Sequence, residues 1–441
     1  MRSHSRILKI MQNPLAHAPE LPEENPHYLR AVTQMGERRE VTANQDIFTL
    51  SGIKLLVKDS KIAGEHFDLL NRHKLSVSLD QCLSVPHAVD GEQLALEVGK
   101  ILSQDLFMAR MAARAGGVLM CRQALAQLVL PAAIQFRLTV MKEQRPNLFE
   151  HVIRVSIWAH VLAQQTKLPE IYRDQLMLAA VCHDMGEMHT DPELLTSGHC
   201  VTLIERCYLH VHPITSYLVV SKVDDFSGMA AQAILHHHER LDGSGYPYGL
   251  SKERIHPLSQ YIAVADTADA ILRRFDLLRL QISFALNKTR FDARLIKALG
   301  ELVHELPFDS QLACKGDGAS LQLHHIADLL EGWLALHAML SVQVRAGAEQ
   351  NSSIGFLFER MDGVHSLVLQ MGFNPDDIHG MQTVAQKDPS LQLELQTILH
   401  EMEWILNEMA NEIERRSPLL DGIPQNIFDD LVQQLRETLT P

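Results

Sequence analysis

From Asn147 to about Leu302 the chain reads as a run of helices, broken by a Gly- and Pro-rich loop at 242–257. Those helices carry an adjacent His183-Asp184, a second pair His237-His238 and a lone Asp266. Imidazole and carboxylate in this mixture are the ligands that a cluster of hydrolytic metal ions requires. The middle of the chain is therefore an enzyme candidate.

Reading outward from His183-Asp184, the metal-ligand candidates are His151, His183, Asp184, His212 in His212-Pro213, His237, His238, and Asp266 in Ala263-Val264-Ala265-Asp266. Such a donor set suits two divalent transition-metal ions, iron, manganese or zinc, over magnesium or calcium, which prefer oxygen alone. Asp184 is placed to bridge the two ions, and a bridging water would ionise near neutral pH and attack phosphorus. Asp184 and His183 are accordingly the catalytic candidates. The chain holds 24 His, so a single one is more often a surface or core residue than a ligand, and His27, His66 and His304 are read that way. His189, His199, His210 and His236 lie beside the motifs but outside the pattern; they are taken as supporting or solvent-facing residues, with His236 replacing His237 if the helix register shifts by one.

At 441 residues and 46% apolar composition the chain exceeds what one core usually holds, so several folding units are expected. The net charge of −14 argues against general DNA or RNA binding, and an anionic substrate would need metals or local cations to hold it. Six scattered cysteines with no C-x-x-C pair fit a reducing cytosol, and Cys182 reads as a small apolar residue on the helix carrying His183. The most apolar stretch, Val118 to Ile134, is cut by Arg122, Gln123 and Gln127, so no membrane span is expected and the protein is read as soluble and cytoplasmic.

Five segments follow from the punctuation of the chain. Residues 1–35, with Pro14, Pro19, Pro22 and Pro26, form an extended N-terminal arm, and 36–90 a small α/β module. In that module Asp46–Leu50 and Ile53–Val57 are short strands joined at Ser51-Gly52, followed by a helix near Glu65 to Arg72. Residues 91–145 are connecting helices broken at Gly116-Gly117 and Pro131, 146–305 the catalytic unit, and 306–441 a C-terminal helical region without a motif. Within the last, Leu321–Leu340, Gly355–Met371 and Leu391–Arg416 carry helical patterns, and Leu391–Glu414 is read as a bundle helix, with partner binding or homodimerisation as the alternative.

The set Cys182-His183-Asp184-Met185-Gly186, Asp191-Pro192-Glu193-Leu194-Leu195, His212-Pro213, His237-His238-Glu239-Arg240-Leu241-Asp242-Gly243-Ser244-Gly245-Tyr246-Pro247 and Ala263-Val264-Ala265-Asp266 resembles the HD-GYP branch of the HD metal-dependent phosphohydrolases. The resemblance covers roughly residues 147–302. It implies a mainly α chain with a helical HD-type phosphohydrolase domain, and hydrolysis of cyclic di-GMP to linear pGpG or to GMP. It also places the seven candidate ligands on the family's metal positions, with iron or manganese ahead of zinc.

Three departures qualify the resemblance. Glu187 stands where the family usually has Lys, reversing the sign of a charge that would meet phosphate unless Glu187 itself binds metal as an additional ligand. Asn147 stands where three-metal members carry a Glu, so two ions are expected. The usual Arg-Pro-Tyr-Arg stretch is absent, leaving Arg273 and Arg274 as the nominated phosphate partners. Gly245, Tyr246 and Pro247 are substrate-binding candidates if the loop shapes the pocket, and a docking site for a signalling protein if it does not. Two rival functions stay open beside the phosphodiesterase: a signalling or binding protein that keeps metal and cyclic di-GMP with little turnover, and an HD hydrolase for another nucleotide.

Overall fold

A computed structural model describes residues 25–196, 201–304 and 389–416, with isolated positions beyond. The chain divides into two compact units, one of residues 1–274 and 288–306, the other of 275–287 and 307–441. The first unit takes together the small module, the connecting helices and the helices bearing the His and Asp residues. The helix Leu277–Leu286, expected within 146–305, falls in the second unit.

The expected extended arm is corrected at its end, because Pro26–Gly36 is a helix (α1). Asn25 caps it, accepting from the backbone of His27 and Tyr28, and Pro26 occupies the first turn, where its missing N–H costs nothing. Tyr28, Leu29, Val32 and Met35 share one face and are fully buried, roughly 1.5–3 kcal/mol for each large apolar side chain. The residues before 25 lie outside the described ones.

After α1 come two antiparallel ribbons: Thr42–Ala43 (β1) pairs with Leu83–Ser84, and Ile47–Phe48 (β2) with Lys54–Leu56 (β3), in the register Ile47 to Leu56. The second is the expected hairpin, turned at Ser51-Gly52 with the Thr49 backbone N–H donating to the Ile53 carbonyl at 2.8 Å. The helix expected after it is short, Phe67–Asn71, and opens with a 3-10 turn at Gly64–His66.

Helices Gly91–Gln104 (α2), Leu106–Ala113 (α3), Gly117–Ala126 (α4) and Ala132–Gln144 (α5) then lead to the centre of the unit, with Pro131 opening a new helix. The central element is Pro146–Gln165 (α6), buried without interruption from Val152 to Ala163, with Arg154, Ser156 and His160 among its buried residues. Glu170–Cys182 (α7) and Pro257–Leu272 (α10) pack directly on it, and Gly228–Leu235 (α9) packs on both of those. Between α7 and α9 the helix His212–Ser221 (α8) lies against the 3-10 turn Met185–His189. Its close approach depends on Gly186, where a Cβ would stand 2.2 Å from the His212 carbonyl oxygen.

In the second unit, Leu277–Leu286 (α11) packs on the long helix Pro389–Arg416 (α12). Glu401 of α12 is buried there, accepting from Arg279 Nε at 2.9 Å, Ser283 Oγ at 2.9 Å and Asn287 Nδ2 at 3.0 Å. Leu399, Met402, Leu406, Met409 and Ala410 bury the apolar stripe of α12, the bundle-helix reading of this segment. The helices expected at 321–340 and 355–371 lie outside the described residues. Among the described residues no helix is long and apolar enough to cross a membrane.

Candidate metal centre

Five elements of the first unit aim side chains at one point. His151 stands in the second turn of α6, His183 and Asp184 at the end of α7, and His212 at the start of α8 beside Pro213. His237 and His238 follow the last residue of α9, and Asp266 lies in the middle of α10. The ligand atoms form two groups, Asp184 with His212, His237 and His238, and His151 with His183 and Asp266, each group's atoms lying within 4.8 Å of one another.

Asp184 links the groups. Its Oδ1 lies 3.3 Å from His212 Nε2 and 3.5 Å from His237 Nε2, and its Oδ2 lies 3.1 Å from His183 Nε2 and 3.6 Å from His151 Nε2. Asp266 Oδ1 is 3.2 Å from His151 Nε2, and its Oδ2 is 3.9 Å from His238 Nδ1. A carboxylate with one oxygen turned to each set of imidazoles is the geometry of a bridge between two cations.

The rings are held by one device used three times. His183, His212 and His237 each donate from Nδ1 to the carbonyl three residues earlier, Ala180 at 2.7 Å, Leu209 at 2.7 Å and Ile234 at 2.6 Å. Those carbonyls belong to the last turns of helices, where intrahelical donors run out. The bond satisfies the helix end and also fixes the tautomer, leaving the Nε2 lone pair facing the centre. His151 is fixed by a charge instead: its Nδ1 donates to Asp269 Oδ2 at 2.8 Å. Asp269, fully buried, also accepts from Arg154 Nε at 2.6 Å, and Arg154 reaches Asp105 at 2.9 Å.

Two atoms at the middle are left over. His183 Nε2 and Asp184 Oδ1 are buried without a hydrogen-bond partner, a costly state for an imidazole lone pair and a carboxylate oxygen unless a cation lies between them. The donor set therefore fits divalent metal ions.

The electrostatics are uneven. Burial pushes the His151 imidazole down, but its bonds to Asp266 and Asp269 and the nearby Asp184 overcome that and hold it well above 6.5. His212 is buried too, yet the adjacent Asp184 carboxylate raises it to about 9. For His237 burial prevails and the value falls to about 4; His238, buried beside His237 and His212, is held well below the usual range. Burial would raise Asp184, but the charge of His183 and the closeness of the three imidazoles around it keep it well below 3.8.

These groups line a cavity of about 840 Å³, within the size range of small-molecule sites. Glu187 lies on its wall, raised to about 6 by burial and by Asp184, and its carboxylate joins neither of the two ligand groups.

The Gly-Tyr-Pro loop contributes one residue to the cavity, Tyr246, whose ring stacks on His210 with centroids 3.9 Å apart and on His238 at 4.6 Å. Gly245 and Pro247 are buried and are not among the residues lining the cavity. Gly245 serves the close approach of the loop to its own chain, since a Cβ there would stand 2.4 Å from the Arg240 nitrogen and 2.5 Å from the His238 oxygen. Glu239, fully buried, holds the far side of the loop by accepting from the backbone of Tyr248 at 2.7 Å and Leu250 at 2.8 Å.

Arg273 and Arg274 line the cavity as expected, both exposed, and Arg273 donates to the Asn147 carbonyl at 3.3 Å. Arg145 and Arg206 line it as well and were not foreseen. His236 turns away from the centre, its Nδ1 accepting from the His256 backbone at 3.2 Å, so the pair facing the ions' positions is His237-His238. His189, read as supporting or solvent-facing, lies against Arg137 Nη1 at 2.9 Å and stacks on Tyr28. Asp269 was also missed, although its spacing of three from Asp266 on one helix puts both on the same face.

The family model of the HD domain matches residues 138–295. Among curated proteins the chain is similar to the cyclic di-GMP phosphodiesterase PA4108 of Pseudomonas aeruginosa, 33% identical over 123 residues, 28% of this chain and 30% of that one. It is 37% identical over 120 residues to the cyclic di-GMP phosphodiesterase response regulator RpfG of Xanthomonas campestris pv. campestris, 27% of this chain and 32% of that one. To the 3'3'-cGAMP-specific phosphodiesterase 1 of Vibrio cholerae it is 33% identical over 123 residues, 28% of each chain. The chain thus spans about a third of the length of the curated relatives it matches. With the His-Asp doublet, the paired histidines and the Gly-Tyr-Pro loop set around one cavity, these matches make residues 138–295 an HD domain of the HD-GYP family.

Proposed function

We propose that the chain is a metal-dependent phosphodiesterase that hydrolyses cyclic di-GMP to linear pGpG or GMP. The observation that carries this reading is Asp184, one oxygen turned to each group of imidazoles, with His183 Nε2 buried beside it and unbonded. Two divalent ions, iron or manganese ahead of zinc, would when bound supply a water acidic enough to ionise near neutral pH and charge to offset that building on the phosphoryl oxygens.

The chain's own residues do the rest. His151, His183 and Asp266 would hold one ion, His212, His237 and His238 the other, and Asp184 both. Asp184 and His183 are the catalytic pair, and the Asp184 carboxylate is the group that would pass on the proton the water gives up. Asp269 orients His151, and Tyr246 presents its ring to a base of the substrate. In this reading the Gly-Tyr-Pro loop shapes the pocket, which its buried Gly245 and Pro247 favour over docking of a signalling protein.

The relatives' names support a cyclic dinucleotide as substrate and include one specific for the mixed 3'3'-cGAMP. Glu187 on the cavity wall favours the second reading, a signalling protein that binds the nucleotide and turns it over slowly, because a carboxylate there opposes phosphate.

The test is to load the purified protein with iron or manganese under reducing conditions and supply cyclic di-GMP and 3'3'-cGAMP in parallel. Product from cyclic di-GMP that disappears in His183→Ala and Asp184→Ala is expected. Binding without product would select the signalling reading, and product from 3'3'-cGAMP alone would move the substrate.

A further inference from the structure

Resting on the phosphodiesterase reading, we propose that Arg145 and Arg206 grip the second phosphodiester of the substrate, the one not being cleaved, and so select cyclic dinucleotides over simple phosphodiesters. A cyclic dinucleotide carries two phosphates in one ring. The ligand cluster takes the reacting one, so the other needs cations elsewhere on the cavity wall, in a chain whose net charge is −14.

Four guanidiniums line that wall, and they are not equivalent. Arg273 and Arg274 are exposed, where water and salt weaken any contact. Arg145 and Arg206 are half-buried. Arg145 sits at the junction of α5 and α6, in a non-helical conformation with φ −136° and ψ 62°, so its side chain leaves the helix line. Its Nη2 donates to the Thr190 carbonyl at 2.7 Å, which anchors one edge of the fork and leaves its other N–H groups for a ligand.

Arg206 lies on the helix Leu203–Leu209, whose start is closed by a reciprocal cap between Thr202 and Glu205. Among the described residues no carboxylate or carbonyl meets its guanidinium. A half-buried, permanently charged fork without a counter-ion on the wall of a cavity is costly to keep unless the ligand brings the anion. Phosphate matches the fork in charge and in its paired oxygens. Arg145 lies close enough to Glu187 and Asp191 to feel both charges, so the junction sets a cation beside the place where Glu187 reverses the sign of the wall.

The experiment compares wild type with Arg145→Ala, Arg206→Ala and the two Arg→Lys variants on cyclic di-GMP and on bis(p-nitrophenyl) phosphate, which has one phosphodiester only. KM for cyclic di-GMP should rise about tenfold in each Ala variant, the low end for a hydrogen bond to a charged group. The ratio of kcat/KM between the two substrates should fall by the same factor, with metal content still two ions per chain and partial recovery in the Lys variants. An unchanged ratio overturns the proposal, as does an equal fall on both substrates. If wild type cleaves neither substrate, the phosphodiesterase reading fails separately, and the Kd for cyclic di-GMP then decides: about tenfold weaker binding in the Ala variants upholds the grip, while equal binding or none at all removes it.

Discussion

The two halves of the ligand cluster share Asp184 and differ in what stands behind their histidines. Behind His151 runs a chain of charges, Asp269, Arg154 and Asp105. Behind His212 and His237 stand helix-end carbonyls, and beside His238 the stacked ring of Tyr246. The first arrangement makes the imidazole more basic, and His151 lies well above 6.5, with His183 also raised against its burial by Asp184. In the second half His212 is raised to about 9, while burial holds His237 at about 4 and His238 well below its usual range. The lesson is that each half holds a ring that must give up its proton to take a metal ion, while the second also keeps two neutral rings ready.

The hardest blow to this comparison would fall on what the halves share. Asp184→Asn removes the charge from both oxygens at once, and should lose both ions and about 10⁴-fold in kcat, several kcal/mol of transition-state stabilisation. Metal analysis alongside the assay checks it. A variant that kept one ion would show that the halves are built independently.

Acid and base sharpen the difference further. In the metal-free protein His151 and His212 have raised values, so their contribution to stability is complete below about 6.5 and is lost as pH climbs, for His212 through about 9. His237 and His238 are depressed, so they act in the opposite window, costing stability as pH falls from about 6.5 towards 4, the value of His237. Bound metal needs all four rings neutral, so it removes the alkaline loss. Calorimetry with and without manganese should show metal stabilisation growing between pH about 6.5 and about 9, by on the order of a few kcal/mol. A metal effect that is flat over that range would mean that the charged neighbours do not set the proton affinity of His151 and His212.

Asp269→Asn tests the first half alone. The residue touches no ion position, and second-layer partners of this kind typically carry about 10–100-fold in metal affinity. One ion of the two should weaken by that factor, read by competition with a chelator. Equal weakening of both would erase the distinction between the halves.

How far these features could be read before folding follows from their locality. The candidate ligands could be picked out because each sits at a motif, and helix ends and turns keep motif residues in fixed relation. Asp269 was legible in principle from its spacing to Asp266. Arg145 and Arg206 were not: each is a single cation whose neighbours come from other elements, and one cation among 40 carries no pattern. The loop misled in a specific way, because a glycine that allows close approach does not say what approaches, and at Gly245 it is the backbone of 238–240. Pro26 misled similarly, since proline in a polar stretch reads as extended chain, whereas behind the Asn25 cap it begins α1. The boundary near 275 was hidden because α11 has the same apolar pattern as its neighbours, and its burial against α12 depends on residues more than a hundred positions away.

The smallest effect belongs to the uncharged half. Tyr246 stacks on His238 and His210, and aromatic pairs contribute about 0.5–1.5 kcal/mol beyond their burial. Tyr246→Leu keeps an apolar side chain over His238 but loses both stacks, so the ion held by His212, His237 and His238 should weaken only about threefold to tenfold. The ion on His151 should hold its affinity, since Asp269 still fixes that ring. The same chelator competition that reads Asp269→Asn reads this variant, so the two results rank the halves directly. A Tyr246→Leu defect as large as that of Asp269→Asn would mean that stacking, and not charge, sets how firmly a histidine is held here.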